Sequence, residues 1–325
     1  MYTNAAAAPR ADISAFLEEA VEVEKLFVGQ KILPIYESEV ENGRYPKFKI
    51  RDGALLKREA TRRNQSGTYN EVDRKFDWEA FQTEERGLEE RIDDVVAKRF
   101  AKWFDAEVLT AKFVMRALMI DYEILVATKM QTPIGTDPIE GFTSTNSSVA
   151  YTEANILTFD FPKDITDLMA NLEALGEIPN TIILSRAVFN RIRRSKNLQL
   201  FLFGSLSANA GNRAITEQLL GETFGFENVF VTKMSYDMAA KGLGPTLGSI
   251  WSPSYVWIGN VAGGDFQNGG AGRTIIWEAD SPGGLFATET YRAEHRRGNM
   301  VRVRSNRSLK IINQNAGQLL NTQWA

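Results

Sequence analysis

The clearest pattern of apolar and polar positions along the chain predicts one long amphipathic helix over residues 105–130. This stretch contains no glycine or proline, and its apolar side chains recur at steps of three and four residues, as on one helix face. The stripe consists of Val108, Met115, Leu118, Met119, Tyr122, Leu125 and Val126. Asp105 is a suitable N-cap, and residues 131–133 end the run. At ~1.5 Å per residue the helix would be roughly 39 Å long, so we expect it to organise the core rather than to bind a cofactor.

After a polar connection over residues 132–150, the pattern alternates between helices and strands. Helices are predicted at 164–175, 186–196 and 214–224, with Gly176 and Gly225 as C-terminal glycines. Strands are predicted at 181–184, 229–231, 249–251, 255–258 and 273–277. The segments MVRVR and SLKII, within residues 285–312, predict a closing antiparallel pair. Six glycines in residues 259–272 predict a mobile loop or tip.

Residues 45–78 have the pattern of a long, thin β-hairpin. Apolar Phe48 and Ile50 alternate with basic residues on the outward limb, and Phe76 and Trp78 alternate on the return limb. The middle of the segment has few residues of the kind that form a core. Because an isolated two-stranded ribbon is at best marginally stable in water, we expect this hairpin to lie on something else.

Composition excludes several classes of site. The 325 residues are 43% hydrophobic and 24% charged, with a formal net charge of −3, no cysteine and one histidine. Disulfide frameworks, thiolate zinc sites and cysteine nucleophiles are therefore excluded, and the charge does not indicate a dedicated nucleic-acid-binding module. Neither a secretory signal nor an apolar run of membrane-spanning length is present, so we expect a soluble intracellular protein without a membrane partner.

Charge is distributed unevenly near the N-terminus. Residues 12–41 contain eight acidic residues against two lysines, and residues 44–63 contain eight basic residues against two acidic ones. These blocks are either two solvated faces or two surfaces that require partners of opposite charge, on other copies of the chain.

No motif in the chain predicts an enzyme. Phosphate-binding loops and nucleophile elbows are absent, and Gly242, Gly244 and Gly248 have the wrong spacing for a dinucleotide site. Acidic residues at 84–94 are predicted to lie on an exposed helical face with neighbouring arginines and lysines. His295 has cationic neighbours and is predicted to be a surface residue. We therefore predict no catalytic, cofactor-binding or metal site and no small-molecule substrate.

The arginines of residues 292–307 allow two interpretations. The segment contains Arg292, Arg296, Arg297, Arg302, Arg304 and Arg307. These guanidinium groups could contact phosphates, or they could form ion pairs between subunits. Strand alternation places Arg302 and Arg304 on one face.

The order of these features resembles that of the major capsid proteins of tailed bacteriophages, which have the Hong Kong 97 fold. The strand–helix unit of that family's axial domain is similar to PNTIILSRAVFNRIRRSKN (179–197), and the following helix–strand unit to AITEQLLGETFGFENVFVTKMSYDMAAKG (214–242). Later strands and the closing ribbon are similar to IWSPSYVWIG (250–259) and YRAEHRRGNMVRVRSNRSLKIINQNAGQLL (291–320). The resemblance runs in order along nearly the whole chain.

This resemblance implies an α+β, Hong Kong 97-like capsid fold. Its implied parts are an N-terminal arm (1–38), an extended β-hairpin loop (39–88), a peripheral domain (89–160) with its spine helix at 105–130, an α/β axial domain (161–284) and closing peripheral strands (285–325). The implied function is that of a phage shell protein that forms hexamers and pentamers around double-stranded DNA. The alternative with the same fold is an encapsulin-type nanocompartment shell that encloses an enzyme.

The implied partners follow from that function. They are copies of the chain itself, packaged double-stranded DNA bound without sequence preference, and scaffold, portal and decoration proteins. The implied location is the virion, with assembly in the host cytoplasm. The glycine-rich segment at 259–272 would then lie at the centre of each capsomer.

Overall fold

The described part of the chain forms two large β-sheets with helices packed against them, together with two separate two-stranded ribbons. The computed structural model describes residues 8–9, 27–47, 61–62, 67, 69, 77–101, 105–204, 215–240, 242–266, 269–281 and 284–324. The segments MVRVR and SLKII, the long helix and most of the predicted α/β region therefore fall within the described part. The acidic residues before residue 27 fall outside it. So does most of the hairpin between residues 48 and 76.

The strands and helices alternate irregularly along the chain. The strands are β1 (Ala8–Pro9), β2 (Ile35–Ser38), β3 (Asn42–Lys47), β4 (Asp77–Gln82), β5 (Glu84–Asp93), β6 (Thr143–Asn146), β7 (Thr181–Ser185), β8 (Asn228–Thr232), β9 (Ser235–Asp237), β10 (Leu247–Ser249), β11 (Tyr255–Gly259), β12 (Gly272–Trp277), β13 (Ala287–Ala293), β14 (Gly298–Ile311) and β15 (Gly317–Asn321). The helices are α1 (Gly29–Ile32), α2 (Asp94–Phe100), α3 (Ala106–Met130), α4 (Phe161–Ala174), α5 (Arg186–Ile192), α6 (Lys196–Phe203) and α7 (Glu217–Phe224). Short 3-10 turns occupy Glu294–Arg296 and Gln314–Ala316.

The six-stranded sheet is assembled around β14. This 14-residue strand pairs antiparallel with β5, β12 and β13, while β2 extends the sheet beyond β12 and β1 extends it beyond β13. The segments MVRVR and SLKII both lie within β14. The prediction that they form a pair with each other is therefore wrong, because each finds its partner in another strand.

The five-stranded sheet has the order β6-β15-β11-β7-β8. Its membership differs from the boundaries that the sequence suggested. Residues 317–321, expected among the peripheral strands, pair with β11 in this sheet, and residues 272–277, expected in the axial region, pair with β14 in the six-stranded sheet. Likewise the extended loop was expected to continue to residue 88, but its return limb joins the six-stranded sheet from Glu84 onward.

The long helix α3 confirms the prediction for residues 105–130. Asp105 caps its N-terminus by accepting hydrogen bonds from the backbone N–H groups of Glu107 (2.8 Å) and Val108 (3.4 Å). The helix packs against β14 and β5, and its buried stripe contributes to a core shared with the six-stranded sheet. Val108 and Leu125, predicted on the stripe, are only half-buried.

Three local predictions needed correction. The acidic residues from Glu84 to Asp93 form strand β5 rather than a helix, because ten consecutive residues pair with β14, and the helix begins only at Asp94. The helix predicted at 186–196 ends at Ile192, because Ser195 caps the separate helix α6. The strand predicted at 249–251 lies instead at 247–249.

The other helix predictions are confirmed with shifted starts. Helix α4 begins at Phe161 rather than at 164, because Asp160 accepts from the backbone N–H of Lys163 (3.2 Å). Helix α7 begins at Glu217, after Thr216 as its cap. The glycines Gly176 and Gly225 have positive φ, as the C-terminal signals predicted. Among the described residues, no helix has the length and apolar character needed to cross a membrane.

A buried carboxylate connects three distant segments. The side chain of Glu123 in α3 is fully buried, and its Oε2 accepts hydrogen bonds from the backbone N–H groups of Gly29 (2.8 Å) and Val28 (3.2 Å). Its Oε1 accepts from the indole Nε1–H of Trp251 at 2.7 Å. Burial raises the pKa of Glu123, while these three donors act in the opposite direction.

The raised pKa predicts a specific pH dependence of stability. Because the folded state holds the Glu123 proton at a pH where the unfolded chain has lost it, lowering the pH towards the ordinary value of 4.5 should stabilise wild type relative to Glu123→Gln. Chemical denaturation of both proteins between about pH 7 and pH 4.5 measures this difference. Glu173→Gln, at an exposed carboxylate, is the control. A difference in unfolding free energy that does not change with pH would contradict the assignment.

Candidate assembly surfaces

The base of the predicted hairpin is the ribbon β3–β4, and it is docked on the body of the subunit. Tyr45 and Phe81 are 1% and 7% exposed, and they form a small core with Ile275 and Ile312. The Phe266 ring stacks on Tyr45 with a centroid distance of 6.2 Å. Burial raises the pKa of the Tyr45 hydroxyl far above its ordinary value. The predicted hairpin is thus confirmed at its base, where the strands pair antiparallel from Asn42–Gln82 to Lys47–Asp77.

A buried lysine fixes the end of this ribbon. Lys47 is 2% exposed, and its ammonium group donates to the backbone carbonyl of Ile139. Burial lowers the pKa of Lys47, and the nearby carboxylate of Glu140 opposes that shift. Glu140 is itself bound by Lys129 and, at 3.1 Å, by Lys310. The end of the described ribbon at Lys47 is therefore held by packing and by charge.

The outer face of the same ribbon is exposed. Trp78 is 61% exposed and Val40, which precedes β3, is 53% exposed. Nearly all of the hairpin beyond Lys47 and before Asp77, including Phe48, Ile50 and Phe76, lies outside the described residues. An indole on a charged ribbon that is otherwise anchored to the subunit is a candidate contact for another protein surface.

Opposite charges face each other across β5 and β14. Arg302 lies directly opposite Glu89, with Nη2 3.2 Å from Oε2, and the Tyr291 hydroxyl donates to the same carboxylate at 2.9 Å. The hydrogen bonds from Tyr291 and Arg302 lower the pKa of Glu89. The expected ion pairs of this acidic segment are thus present, on a strand instead of a helix.

Four of the six arginines at 292–307 bind carboxylates of the same chain. Arg292 binds Asp94 with both terminal nitrogens (2.5 and 2.7 Å). Arg302 and Arg304 share one face, as alternation predicted, and both approach Glu289, at 3.9 and 2.9 Å. These groups therefore already have partners within the subunit.

Arg307 is the most buried of these arginines. Its side chain is 1% exposed, binds Asp121 at 2.9 Å and lies over the rings of Tyr122 (5.0 Å) and Phe286 (5.6 Å). Burial lowers the pKa of Arg307 to about 10. The remaining arginines, Arg296 and Arg297, are exposed with His295 at the turn between β13 and β14, which confirms the surface position predicted for the histidine.

A second projecting feature is the ribbon β9–β10. Its turn is closed by Asp237, whose Oδ1 accepts from the backbone N–H groups of Ala239 (3.0 Å) and Thr246 (2.8 Å). Leu243 and Leu247 are nevertheless 72% and 73% exposed. An ordered turn that presents large apolar side chains to solvent is typical of a contact surface. The sequence interpretation missed it, and the only signal was leucine in a stretch otherwise rich in turn residues.

The glycine-rich segment at 259–272 does not form the free tip that the sequence suggested. It connects β11 of one sheet to β12 of the other, and Phe266 packs edge-to-face on Tyr36 with a centroid distance of 4.4 Å. The buried guanidinium of Arg273 donates to the loop carbonyls of Asp265 (2.8 Å) and Gly269 (2.5 Å). Because the segment is the crossover between two sheets, most of its described residues are buried or half-buried against their own chain, while Gly263 and Asp265 are exposed.

Solved structures match the chain along nearly its whole length. A phage-related protein from Bordetella bronchiseptica RB50 is 16% identical, with a TM-score of 0.70 and 98% of each chain covered. A putative prophage capsid protein from E. coli CFT073 is 11% identical, with a TM-score of 0.55 and coverage of 98% of this chain and 99% of that one. A virus-like particle from Pyrococcus furiosus is 14% identical, with a TM-score of 0.54 and coverage of 95% and 97%. No family model and no curated protein matches.

The chain has the Hong Kong 97 capsid fold. The resemblance inferred from the sequence is confirmed at the level of fold, as a mixed α+β protein. At these identities the likeness concerns the fold alone, so the function of this capsid-like chain has to be argued from its surfaces.

Other kinds of site find no support in the described part of this capsid fold. Gly242 and Gly244 lie in the turn between β9 and β10, and Gly248 lies in β10, so the three glycines do not form a loop between a strand and a helix. Among the described residues, no three histidine, cysteine, aspartate or glutamate side chains are grouped so that they could hold a metal ion.

The packing of the ribbon predicts that substitutions on its buried and exposed faces reduce the unfolding free energy by different amounts. Tyr45→Ala should reduce the unfolding free energy by about 3 kcal/mol, because it leaves a cavity in a closed aromatic cluster. Trp78→Ala should cost less than about 1 kcal/mol, because most of the indole is exposed in the subunit. Urea denaturation of the unassembled subunit measures both. Equal losses in the two variants would show that the ribbon is packed differently.

Proposed function

We propose that the chain is the major capsid protein of a tailed double-stranded DNA bacteriophage. In this proposal it assembles into hexamers and pentamers of an icosahedral head that encloses the genome, and it is a structural protein rather than an enzyme. The observation that carries the proposal is a capsid fold over the full described chain with two ordered ribbons, β3–β4 and β9–β10, that present apolar side chains outward.

The domain roles follow the two sheets. Helix α3 and the six-stranded sheet would be the peripheral domain, with α3 as its spine helix. The five-stranded sheet with α4–α7 and the ribbon β9–β10 would be the axial domain. Residues 1–38 would be the N-terminal arm, which adds β1 and β2 to the sheet of the peripheral domain, and residues beyond the β3–β4 base would be the extended loop. Compared with the boundaries suggested by the sequence, residues 272–277 would belong to the peripheral domain and residues 317–321 to the axial domain.

The two ribbons would have different neighbours. We propose that the extended loop beyond the β3–β4 base crosses an adjacent copy. The exposed leucines of β9–β10 would meet equivalent leucines around a capsomer axis. Contacts of this head-to-tail kind close into rings when the rotation between copies allows it. Scaffold, portal and decoration proteins, the virion location and assembly in the host cytoplasm belong to the same proposal.

Electron microscopy of the purified full-length chain tests the proposal directly. Closed shells or rings of five and six subunits are expected, and a uniformly monomeric protein at high concentration would overturn the proposed function. Isolation from the native source then distinguishes the two shell functions. Double-stranded DNA inside the shell supports the phage head, whereas an enclosed enzyme without DNA supports an encapsulin-type compartment.

Removal of the loop beyond the ribbon base should abolish assembly and preserve folding. Lys47 and Asp77 lie opposite each other, so Asn-Gly can replace residues 48–76 as a tight turn while both buried anchors, Tyr45 and Lys47, remain. Loop shortening changes closure entropy only slowly, so cooperative unfolding should be retained. We expect monomers or small capsomers in sedimentation velocity.

A matched control for this deletion replaces residues 48–76 by a glycine–serine linker of equal length. It should also fail to assemble, because the contacts of the native loop are missing although its length is kept. Closed shells at wild-type yield from the deletion variant would rule out the loop as a clamp between subunits.

Polar substitutions at the β9–β10 turn should weaken capsomers without unfolding the subunit. Leu243→Ser with Leu247→Ser changes two side chains that are mostly exposed, so the subunit should lose less than about 1 kcal/mol. Leu157→Ser with Ile178→Ser, which are 64% and 77% exposed elsewhere on the same half of the molecule, is the control. Native mass spectrometry should show loss of pentamers and hexamers in the first variant only. Equal capsomer yields in both variants would contradict the proposal that this turn forms contacts around the capsomer axis.

A further inference from the structure

A long stretch of the chain carries positive charge without any compensating acidic residue. Between Glu177 and Glu217 the sequence contains six lysines and arginines and no aspartate or glutamate. Five of the six lie on helix α5, on the turn after it and at the first residue of α6: Arg186, Arg191, Arg193, Arg194 and Lys196. The overall charge of −3 therefore conceals a local basic surface.

Two of these arginines lie against the same aromatic ring. The guanidinium carbons of Arg186 and Arg193 lie 5.8 and 5.5 Å from the ring centroid of Phe189. Phe189 is buried and fixed in the core of this half of the molecule. Arg186 is exposed and Arg193 half-buried, so both cations are oriented by the ring and remain open to solvent.

The neighbouring arginines have a different role. Arg194 binds Glu153 with two hydrogen bonds, at 2.5 and 2.7 Å, and Arg191 approaches the same carboxylate at 3.6 Å. Arg191 also lies over the Trp324 ring at 3.5 Å. Glu153 is thus already committed, and within the described residues no carboxylate lies within ion-pair distance of Arg186, Arg193 or Lys196.

We propose that Arg186, Arg193 and Lys196 form a phosphate-binding surface that contacts the backbone of double-stranded DNA without reading its sequence. Planar guanidinium groups match phosphate oxygens, and the exposed amide of Asn190 on the same helix adds a neutral donor. The proposal rests on the proposed function in one respect, because a DNA-filled shell is what would supply this ligand.

DNA fits this surface better than the other polyanion that the sequence offers, the acidic stretch at residues 12–24. That stretch carries five carboxylates in 13 residues, which is one charge per roughly 9 Å of extended chain. Duplex DNA carries one charge per roughly 1.7 Å of axis, a linear charge density about five times higher, so it attracts a group of exposed cations more strongly.

The test compares DNA binding by two full-length variants of equal charge. Arg186→Gln, Arg193→Gln and Lys196→Gln together remove the surface cations. Lys31→Gln, Lys163→Gln and Lys233→Gln together remove three exposed lysines elsewhere. Fluorescence anisotropy with a labelled duplex of about 30 base pairs, measured between about 50 and 200 mM salt, reports affinity and its salt dependence. The first variant should bind at least about tenfold more weakly, with a log–log salt slope smaller by about 2 to 3, and the control should stay within about twofold of wild type.

A charge-preserving variant separates binding from folding. Arg186→Lys with Arg193→Lys should retain most of the affinity, because a point charge still attracts phosphate. Loss of affinity in this variant as great as in the glutamine variant would contradict a charge-based surface. Wild-type affinity and slope in the glutamine variant would overturn the proposal outright.

Two further measurements complete the test. A synthetic peptide of residues 10–26 that binds wild type but not the glutamine variant, while DNA affinity is unchanged, would assign the surface to another copy of the chain and overturn the DNA proposal. Sedimentation reports shell formation separately. Shells that form normally from the glutamine variant, together with weakened DNA binding, support the proposal, whereas shells with unchanged DNA binding reject it and leave the capsid function standing.

Discussion

Backbone pairing along β14 connects segments from across the chain, and the rest of the structure depends on it. The strand pairs with β5 from the first third of the chain and with β12 and β13 from the last third, and its inner face covers helix α3. Its arginines also meet acidic residues on both neighbours, Glu89 on β5 and Glu289 on β13. One strand thus sets the register of the sheet and places the ribbon base at its edge.

The charged groups buried in the subunit are stabilised either by a direct ion pair or mainly by hydrogen bonds. Arg307 and Asp121 form a pair that is buried on the arginine side. Glu123 is held by N–H groups, and Arg273 is held by backbone carbonyls with the carboxylate of Asp265 nearby. Such groups are costly to bury unless every hydrogen bond is well placed. They lie where segments that are distant in sequence meet, so we interpret them as structural groups that hold these segments together.

Whether a side chain already has a partner within the subunit also affects the proposed function. Most arginines near the C-terminus bind carboxylates of the same subunit, and contact of Arg292, Arg302, Arg304 and Arg307 with phosphates or neighbouring subunits stays a prediction. Arg186, Arg193 and Lys196 have no carboxylate partner among the described residues, and the leucines of β9–β10 are mostly exposed. The surfaces proposed to contact other molecules are therefore those with an excess of positive charge or with exposed apolar side chains.

Local signals in the sequence determined the helices of this protein. Asp105, Ser185 and Thr216 cap helices because a short oxygen-bearing side chain satisfies free N–H groups within three residues, a relation that is independent of the rest of the fold. Strand partners were decided only by the tertiary structure. Glu89 and Arg302 are 213 residues apart, and nothing local distinguishes an acidic strand beside a basic one from an exposed helix with ion pairs. The assignment of residues 272–277 and 317–321 to their sheets, and the packing of Phe266 from the glycine-rich crossover on Tyr36, likewise depend on contacts between distant segments.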